Sequence, residues 1–505
     1  MARSSPDRQD LLAEIDELLA SLGEGVMSET AYETASLMRL ARPGVPDAPG
    51  FPRAIEWLLA NQHDDGSWGS DVPIAKDRLI STLGAILAMA TGPQHYDAAD
   101  VASRRAVVYL NRILPDLRSD PSDTVGFELI IPELVRQARQ LDLRLPYEAW
   151  RFVDAIHDDK LRRIPPIAVY GGPTPLTHSL EYLGDRLIPG LASRCQFANG
   201  SYGVSPSATA FVYAVQPDAR SWQYLERVAA TKTSGGIPYV HPFEMFETGW
   251  VLYYLAPIVH DHEAAHAAVQ RLQQGWTSAG AAWTAESTVT DADDTAVAAI
   301  VLAGYKYAVD PNTFALFESD EHFLTFALER SPSVTTNAHV LSALRLFSPT
   351  PDRRRAILKI TQYLRQAREP AGYWLDKWHV SPFYATGEAI AGLAGLAGLA
   401  SETIRPAIQW ILEQQHESGA WGFGEGTQEE TAWSVQALLT AMGADAALIP
   451  MVADALRNGT AYLRDGLDQR DYPALWVGKT LYTPPTIVRA VILSVLLRYE
   501  DIRDR

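Results

Sequence analysis

Apolar residues recur at three- and four-residue spacing along most of the 505-residue chain, as in "AYETASLMRLA", "DRLISTLGAILAMA", "TVGFELIIPELVRQARQL", "ETAWSVQALLTAM" and "TIVRAVILSVLLRYE". That period marks helices with one buried face. Strand-like alternation is almost absent, so the pattern predicts an all-α fold. The charged, amphipathic start "MARSSPDRQDLLAEIDELLASLGEG" lacks the apolar core of a secretory signal and reads as a helix of the folded protein. The run "AIAGLAGLAGLA" at 389–400 is too short to span a bilayer. It reads as a tightly packed buried helix whose glycines allow close approach.

Between the helices a turn recurs: "NQHDDGSWGS" (61–70), "QFANGSYGV" (196–204) and "QQHESGAWGFGEG" (414–426), with a looser copy in "REPAGYWLDKWH" (368–379). Each runs from a helix end through a glycine suited to a left-handed turn, to an aromatic that folds back, to the next antiparallel helix. Helical hairpins stacked in a closed ring give a double-layered α/α barrel around a cavity. Trp68, Tyr202 and Trp421 are read as stabilisers of these turns.

Composition narrows the chemistry. A formal net charge of −18 and a pI near 5.1 argue against nucleic-acid binding, which needs a basic face. The lone cysteine, Cys195, excludes an internal disulfide framework and thiolate-rich zinc, and fits a reducing cytoplasm. No transmembrane segment is expected.

The densest chemistry is "TVTDADDTAVAAIVLAGY" at 288–305, where Asp291, Asp293 and Asp294 open an apolar helix. One aspartate can cap the helix start. A calcium loop lacks its glycine and twelfth-position glutamate, and a glycosidase-like carboxylate pair stays open. Carboxylates this close repel, so one keeps its proton, the more so in a dry aromatic cavity. Such an acid can protonate a carbon–carbon double bond, and aromatic faces suit the resulting carbocation.

"DADDTA" resembles the DxDD motif of class II terpene cyclases, and the recurrent turns resemble the QW motifs of that superfamily. "DGSWG…DRLISTL", "DTVGFELIIPELV", "SPSATAF", "TTNAHVLSAL", "DKWHVSPFYAT" and "WVGKTLY" extend the resemblance over most of residues 30–490. The chain is most similar to bacterial diterpene cyclases that turn geranylgeranyl diphosphate into a bicyclic diphosphate. Two α/α-barrel domains are thereby implied. Residues 1–29 and 258–505 would form the acid-bearing β domain, and 30–257 an inserted γ domain. The resemblance makes Asp293 the general acid, with Asp291 and Asp294 orienting it, and implies that Asn337 of "TTNAHVL" holds it. The ionising DDxxD motif is absent, so the diphosphate should survive as an anchor. Lys76, Arg78 and Lys479 are its candidate ligands, with Asp120 and Asp123 as Mg²⁺-linked carboxylates. Surface lysines and capping aspartates are equally ordinary readings. His178 of "LTHSLE" matches a histidine that holds the terminating water in ent-copalyl diphosphate synthases. Tyr239 stands where those enzymes carry asparagine, leaving the product skeleton open. Trp283, Trp378, His379 and Tyr384 are candidate cavity residues, or ordinary core.

Alternatives remain on the sequence. Farnesyl diphosphate as substrate would give a drimane skeleton. "HDHEAAHAAV" holds His262, Glu263 and His266 in a formal HExxH pattern, as in zinc metallopeptidases, but no motif supplies a third ligand, and Glu286 has only a possible distance. A protein-prenyltransferase β-subunit would need a zinc ligand cluster that Cys195 does not join, and triterpene cyclases are usually longer. As a cyclase the chain is expected to be a cytoplasmic monomer or homodimer, passing its product to a class I terpene synthase.

Overall fold

The computed structural model describes residues 7–503, apart from 121, 123, 260–261, 327–328, 330 and 397–398. Among these residues six helices, Glu244–Val259, Ala292–Gly304, Val334–Leu344, Pro382–Leu393, Gln428–Ala444 and Pro485–Arg503, each pack on the next, and the last closes on the first. They are buried around nearly their whole circumference, which is why their sequences are apolar on every face. Outside them lie Glu263–Gly275, Pro351–Ala367, Leu399–Glu413 and Ile449–Asp465, with Arg8–Ser21 packed on Pro485–Arg503 and Glu263–Gly275. A second, smaller ring joins Ala31–Met38, Ala75–Thr91, Phe127–Gln140, the kinked 3₁₀ segment Pro175–Arg186 and Pro206–Val215. The fold is two α/α barrels, as expected.

The boundary differs from the expected one. Glu29–Thr30 pairs antiparallel with Ile237–Pro238, so the chain enters and leaves the inserted barrel at one place. Residues from Tyr239 onward join the same core as Leu11–Met27. The Glu244–Val259 helix, assigned by sequence to a γ domain of 30–257, therefore belongs to the acid-bearing barrel. Its apolar pattern reveals a buried helix but not which ring receives it.

The recurrent turns share one geometry. Trp68, Trp374 and Trp421 each donate the indole N–H, at 2.7 Å, to the carbonyl ten residues earlier: Leu58, Leu364 and Ile411. A threonine of the following inner helix, Thr82, Thr386 or Thr431, accepts the tryptophan backbone N–H. Gln62 and Gln415 tie their turns to Ala102 and Ala455 on the next outer helix. The 389–400 run is not one helix. Pro382–Leu393 ends, Gly395 takes φ +75°, and Leu399–Glu413 begins; residues 397–398 lie outside the described residues. Gly392 does make the expected close approach, its missing Cβ facing the Ala338 carbonyl at 2.9 Å. No helix among the described residues is long and apolar enough to cross a membrane.

The barrels are joined by the antiparallel pair Trp476–Val477 and Leu481–Tyr482. From this hairpin Gly478 accepts the Val125 backbone N–H, Leu481 donates its N–H to Asp77, and Lys479 enters the inserted barrel.

Candidate active site

At the junction of the barrels lies a cavity walled by Phe246, Trp283, Phe326, Trp378, Tyr384, Trp476 and Tyr482, with Val125, Pro175 and His178 contributed by the inserted barrel. Asp291, Asp293 and Asp294 open into it. The three aspartates have different roles. Asp291 is the cap of Ala292–Gly304, its Oδ1 accepting the N–H groups of Asp293 (2.9 Å) and Asp294 (2.8 Å). Burial pushes Asp291 up to about 7, with its bonds to Asp294 and the two amides holding it down from higher. Burial, then the Asp291 and Asp293 charges, raise Asp294 well above the carboxylate range, so Asp294 keeps a proton shared with Asp291. Asp293 is left to face the cavity.

Behind Asp293 stands a residue that sequence reasoning missed. His339, 1% exposed, lies with Nδ1 at 2.7 Å from Asp293 Oδ1 and Nε2 at 3.0 Å from Glu388 Oε2. The Glu388 carboxylate also accepts the hydroxyls of Tyr253 (3.2 Å) and Tyr254 (2.9 Å). Burial opposes charge on His339, but the flanking Asp293 and Glu388 carboxylates outweigh it and lift its pKa to about 10. The imidazole is thus a cation donating to both acids. A signal for these residues existed: His339 and Glu388 are the sole ionisable side chains, tyrosine aside, in the buried inner-helix stretches "TTNAHVLSAL" and "PFYATGEAIAGL".

Asn337 does not hold the acid. Its amide donates to the Phe323 and Ser333 carbonyls and accepts the Phe323 N–H, pinning the 316–326 loop to its helix. Two positions on along the Val334–Leu344 helix, His339 takes the place expected of it.

Across the cavity, His178 and Tyr239 meet. His178 Nδ1 lies 2.9 Å from the Gly203 carbonyl, which fixes the proton there, so Nε2 accepts the Tyr239 hydroxyl at 2.9 Å. Burial, with Lys479 nearby, pushes His178 down to about 3 and keeps it neutral. Tyr239 stacks on Tyr482 at 4.5 Å. Trp283, Trp378 and Tyr384 line the cavity, while His379 stacks behind Tyr384 at 4.5 Å.

Two expected diphosphate ligands are structural instead. Lys479 is fully buried and bound to Glu181 (3.0 Å), Glu33 (3.3 Å), Ser205, Ser207 and the His178 carbonyl. Arg78 is spent on its own turn, through Ser67 and the carbonyls of Ser70 and Asp71. Lys76 bonds the Ser122 carbonyl beside the loop that carries Val125 to the cavity. Lys377, missed from sequence, lies 4.9 Å over the Trp378 ring and pairs with Glu329.

Of the expected magnesium pair only Asp120 lies among the described residues. Asp120 commits one carboxylate oxygen to Ser122 and the other to the Lys76 backbone N–H, and Asp123 lies outside the described residues. Among the described residues no three potential ligands cluster. The HExxH reading fails on geometry. His262 precedes the Glu263–Gly275 helix with extended backbone and contacts Asp16 at 2.6 Å, whereas His266 sits edge-on to Tyr305.

Residues 316–483 match the squalene-hopene cyclase C-terminal domain model. Over 94% of its length the chain is 33% identical to a type B diterpene cyclase from Mycobacterium tuberculosis, covering 96% of that protein. It is 32% identical to an ent-copalyl diphosphate synthase from a Streptomyces species, over 95% of this chain and 94% of the other. The chain belongs to the class II diterpene cyclases. The solved structure of ent-copalyl diphosphate synthase from Streptomyces platensis superposes on this cyclase with a TM-score of 0.81 at 30% identity, spanning 97% of this chain and 99% of that one. An aspartic acid facing an aromatic cavity, with a buried cation behind it, is the machinery a protonation-initiated cyclase needs.

Proposed function

We propose that this cyclase converts geranylgeranyl diphosphate to a bicyclic diphosphate of the copalyl or a rearranged halimane or clerodane type, with Asp293 as general acid. The carrying observation is the contact of Asp293 with His339, itself backed by Glu388, at the wall of an aromatic cavity. Asp293 gives its proton to the terminal alkene. The His339 N–H, at 2.7 Å from Asp293 Oδ1, donates to the carboxylate left behind and stabilises it. Ring closure then moves positive charge past Trp283, Trp378, Tyr384 and Trp476, whose faces accommodate a cation.

The cascade ends when a proton is lost. The Tyr239 oxygen accepts it while its own hydroxyl proton passes to His178 Nε2, a relay supported by their 2.9 Å contact. No step here breaks the C–O bond to the diphosphate, which leaves with the product and suits it to a class I synthase. Lys377, next to the cavity-lining Trp378, and Lys76, bonded to Ser122 on the loop that leads to Val125, are the cations nearest to that anion, each already partnered within the protein. Asp120 is the described carboxylate that would link Mg²⁺ to the diphosphate, and the ion would supply charge neutralisation there; no step is routed through it.

Incubation with geranylgeranyl and farnesyl diphosphates separately, followed by phosphatase and mass spectrometry of the alcohols, tests the reading. A bicyclic C20 alcohol is expected. Cyclisation of the C15 substrate alone would replace the reading with a drimane synthase, and linear alcohols from both would refute it.

A further inference from the structure

Glu429 is a buried carboxylate that the acid, the relay and the diphosphate do not use. Its side chain is fully buried at the start of the Gln428–Ala444 inner helix. Three N–H donors converge on Oε1: Trp476 Nε1 at 2.8 Å, His379 Nε2 at 3.1 Å and Trp433 Nε1 at 3.3 Å. Oε2 is buried without a hydrogen-bond partner. His379 brings no full charge to this carboxylate, because its Nδ1 accepts the Ser381 backbone N–H at 3.1 Å and so carries no proton. The next residue, Glu430, is separately occupied with Ser381, Phe423 and Thr427. Glu429 is thus ringed by neutral donors, the setting of an ionised carboxylate whose charge no adjacent cation cancels. An unbalanced buried anion with an orphan oxygen is costly and calls for a reason.

The reason lies one ring away. Trp476 lines the cavity, and Tyr384, also on the wall, stacks on His379, 4.5 Å between centroids. We propose that Glu429 is the counter-charge for the carbocation, acting through Trp476 and the His379–Tyr384 stack. The carboxylate draws on the indole N–H and leaves the ring face more electron-rich, and its own field reaches the cavity in a water-poor medium. It is a positioning residue, since it touches no substrate. The inference rests on the carbocation chemistry proposed above. The two buried anions then have separate roles, Glu388 serving the acid and Glu429 serving the cation made by that acid.

Glu429→Gln keeps an acceptor for the three N–H groups and removes the charge. The test compares binding of two inert prenyl diphosphate analogues. One carries a tertiary ammonium where the cation first forms, and the other is its neutral saturated counterpart. From a unit charge one ring away, the ammonium analogue should bind the variant on the order of tenfold more weakly, with the neutral analogue unchanged. In turnover kcat should fall by a similar factor at constant KM, with early-quenched monocyclic or hydroxylated products increased. Trp476→Phe, which keeps a ring and cuts the N–H link, serves as a second variant and should lose part of the ammonium selectivity. Equal affinity changes for both analogues, or unchanged selectivity in the folded variants, would overturn the inference. A wild-type protein that cyclises neither substrate would instead overturn the reading beneath it.

Discussion

Glu388→Gln keeps the shape of the side chain but removes the anion behind His339. The groups facing that imidazole are Asp293 from Ala292–Gly304, Glu388 from Pro382–Leu393, and the rings of Trp250 and Tyr253 from Glu244–Val259. With charge centres about 4 Å apart, one carboxylate is worth about 4 kcal/mol at an effective dielectric near 20, or ~3 pKa units. His339, held at about 10 by both carboxylates, should therefore titrate at a lower pH in the variant. Above its lowered pKa the imidazole loses a proton. It then becomes an acceptor able to draw the Asp293 proton to itself, where the wild-type imidazolium can only donate. The assay is kcat for the C20 substrate from pH 6 to 9, read as the ratio of wild type to variant. That ratio should grow with pH, by up to roughly tenfold per unit once the variant imidazole is neutral. Parallel profiles with equal kcat would show that Glu388 does not set the charge of His339, and the account of the acid would fail.

Asp293→Asn should leave the fold intact, by circular dichroism, and reduce cyclisation by at least about 10³-fold; turnover within tenfold of wild type would remove the acid assignment. His339 has a folded pKa of about 10, above its ordinary 6.5, so its contribution to stability is complete below pH 6.5 and is lost as pH rises through 10. A melting temperature that falls between pH 7 and 10 in wild type, but falls less in His339→Gln, is the expected sign. Lys479→Met leaves Glu33 and Glu181 buried together without their cation, and should cost about 3–5 kcal/mol in urea unfolding. An unchanged midpoint would mean that the network does not hold the barrels. Tyr239→Phe deletes the hydroxyl on His178 and should shift the product ratio by mass spectrometry while kcat changes less than tenfold; an identical product profile would take Tyr239 out of termination.

The barrel architecture was legible because it repeats: the tryptophan turns use local geometry, and the indole reaches a carbonyl only ten residues away. The capping role open to one aspartate falls to Asp291 for the same reason, since a cap bonds its own helix. What failed depends on distant contacts. Lys479 and Arg78 read as diphosphate ligands because a cation near a motif looks available, whereas Lys479 finds its partners about 300 and 450 residues away, at Glu181 and Glu33. Asn337 and His339 differ by two positions on one helix, which turns them to different neighbours. Only the packing of Val334–Leu344 against Ala292–Gly304 decides which one meets Asp293.

This dependence on distant contacts also explains how such a site can change its product without losing its acid. Asp293, His339, Glu388 and Glu429 all sit on inner helices of one closed ring, where each is fixed by neighbours on both sides. The terminating pair is built otherwise. His178 comes from the inserted barrel, Tyr239 from the segment that leaves it, and both are set against the 476–482 hairpin. Gly478 lies under the Tyr239 ring so closely that a Cβ there would overlap the ring. Substitutions at this junction can move the proton acceptor relative to a cation whose birthplace is fixed by the ring. Where the charge is born and where it dies are thus held by different parts of the fold, and the second is held by the more adjustable one.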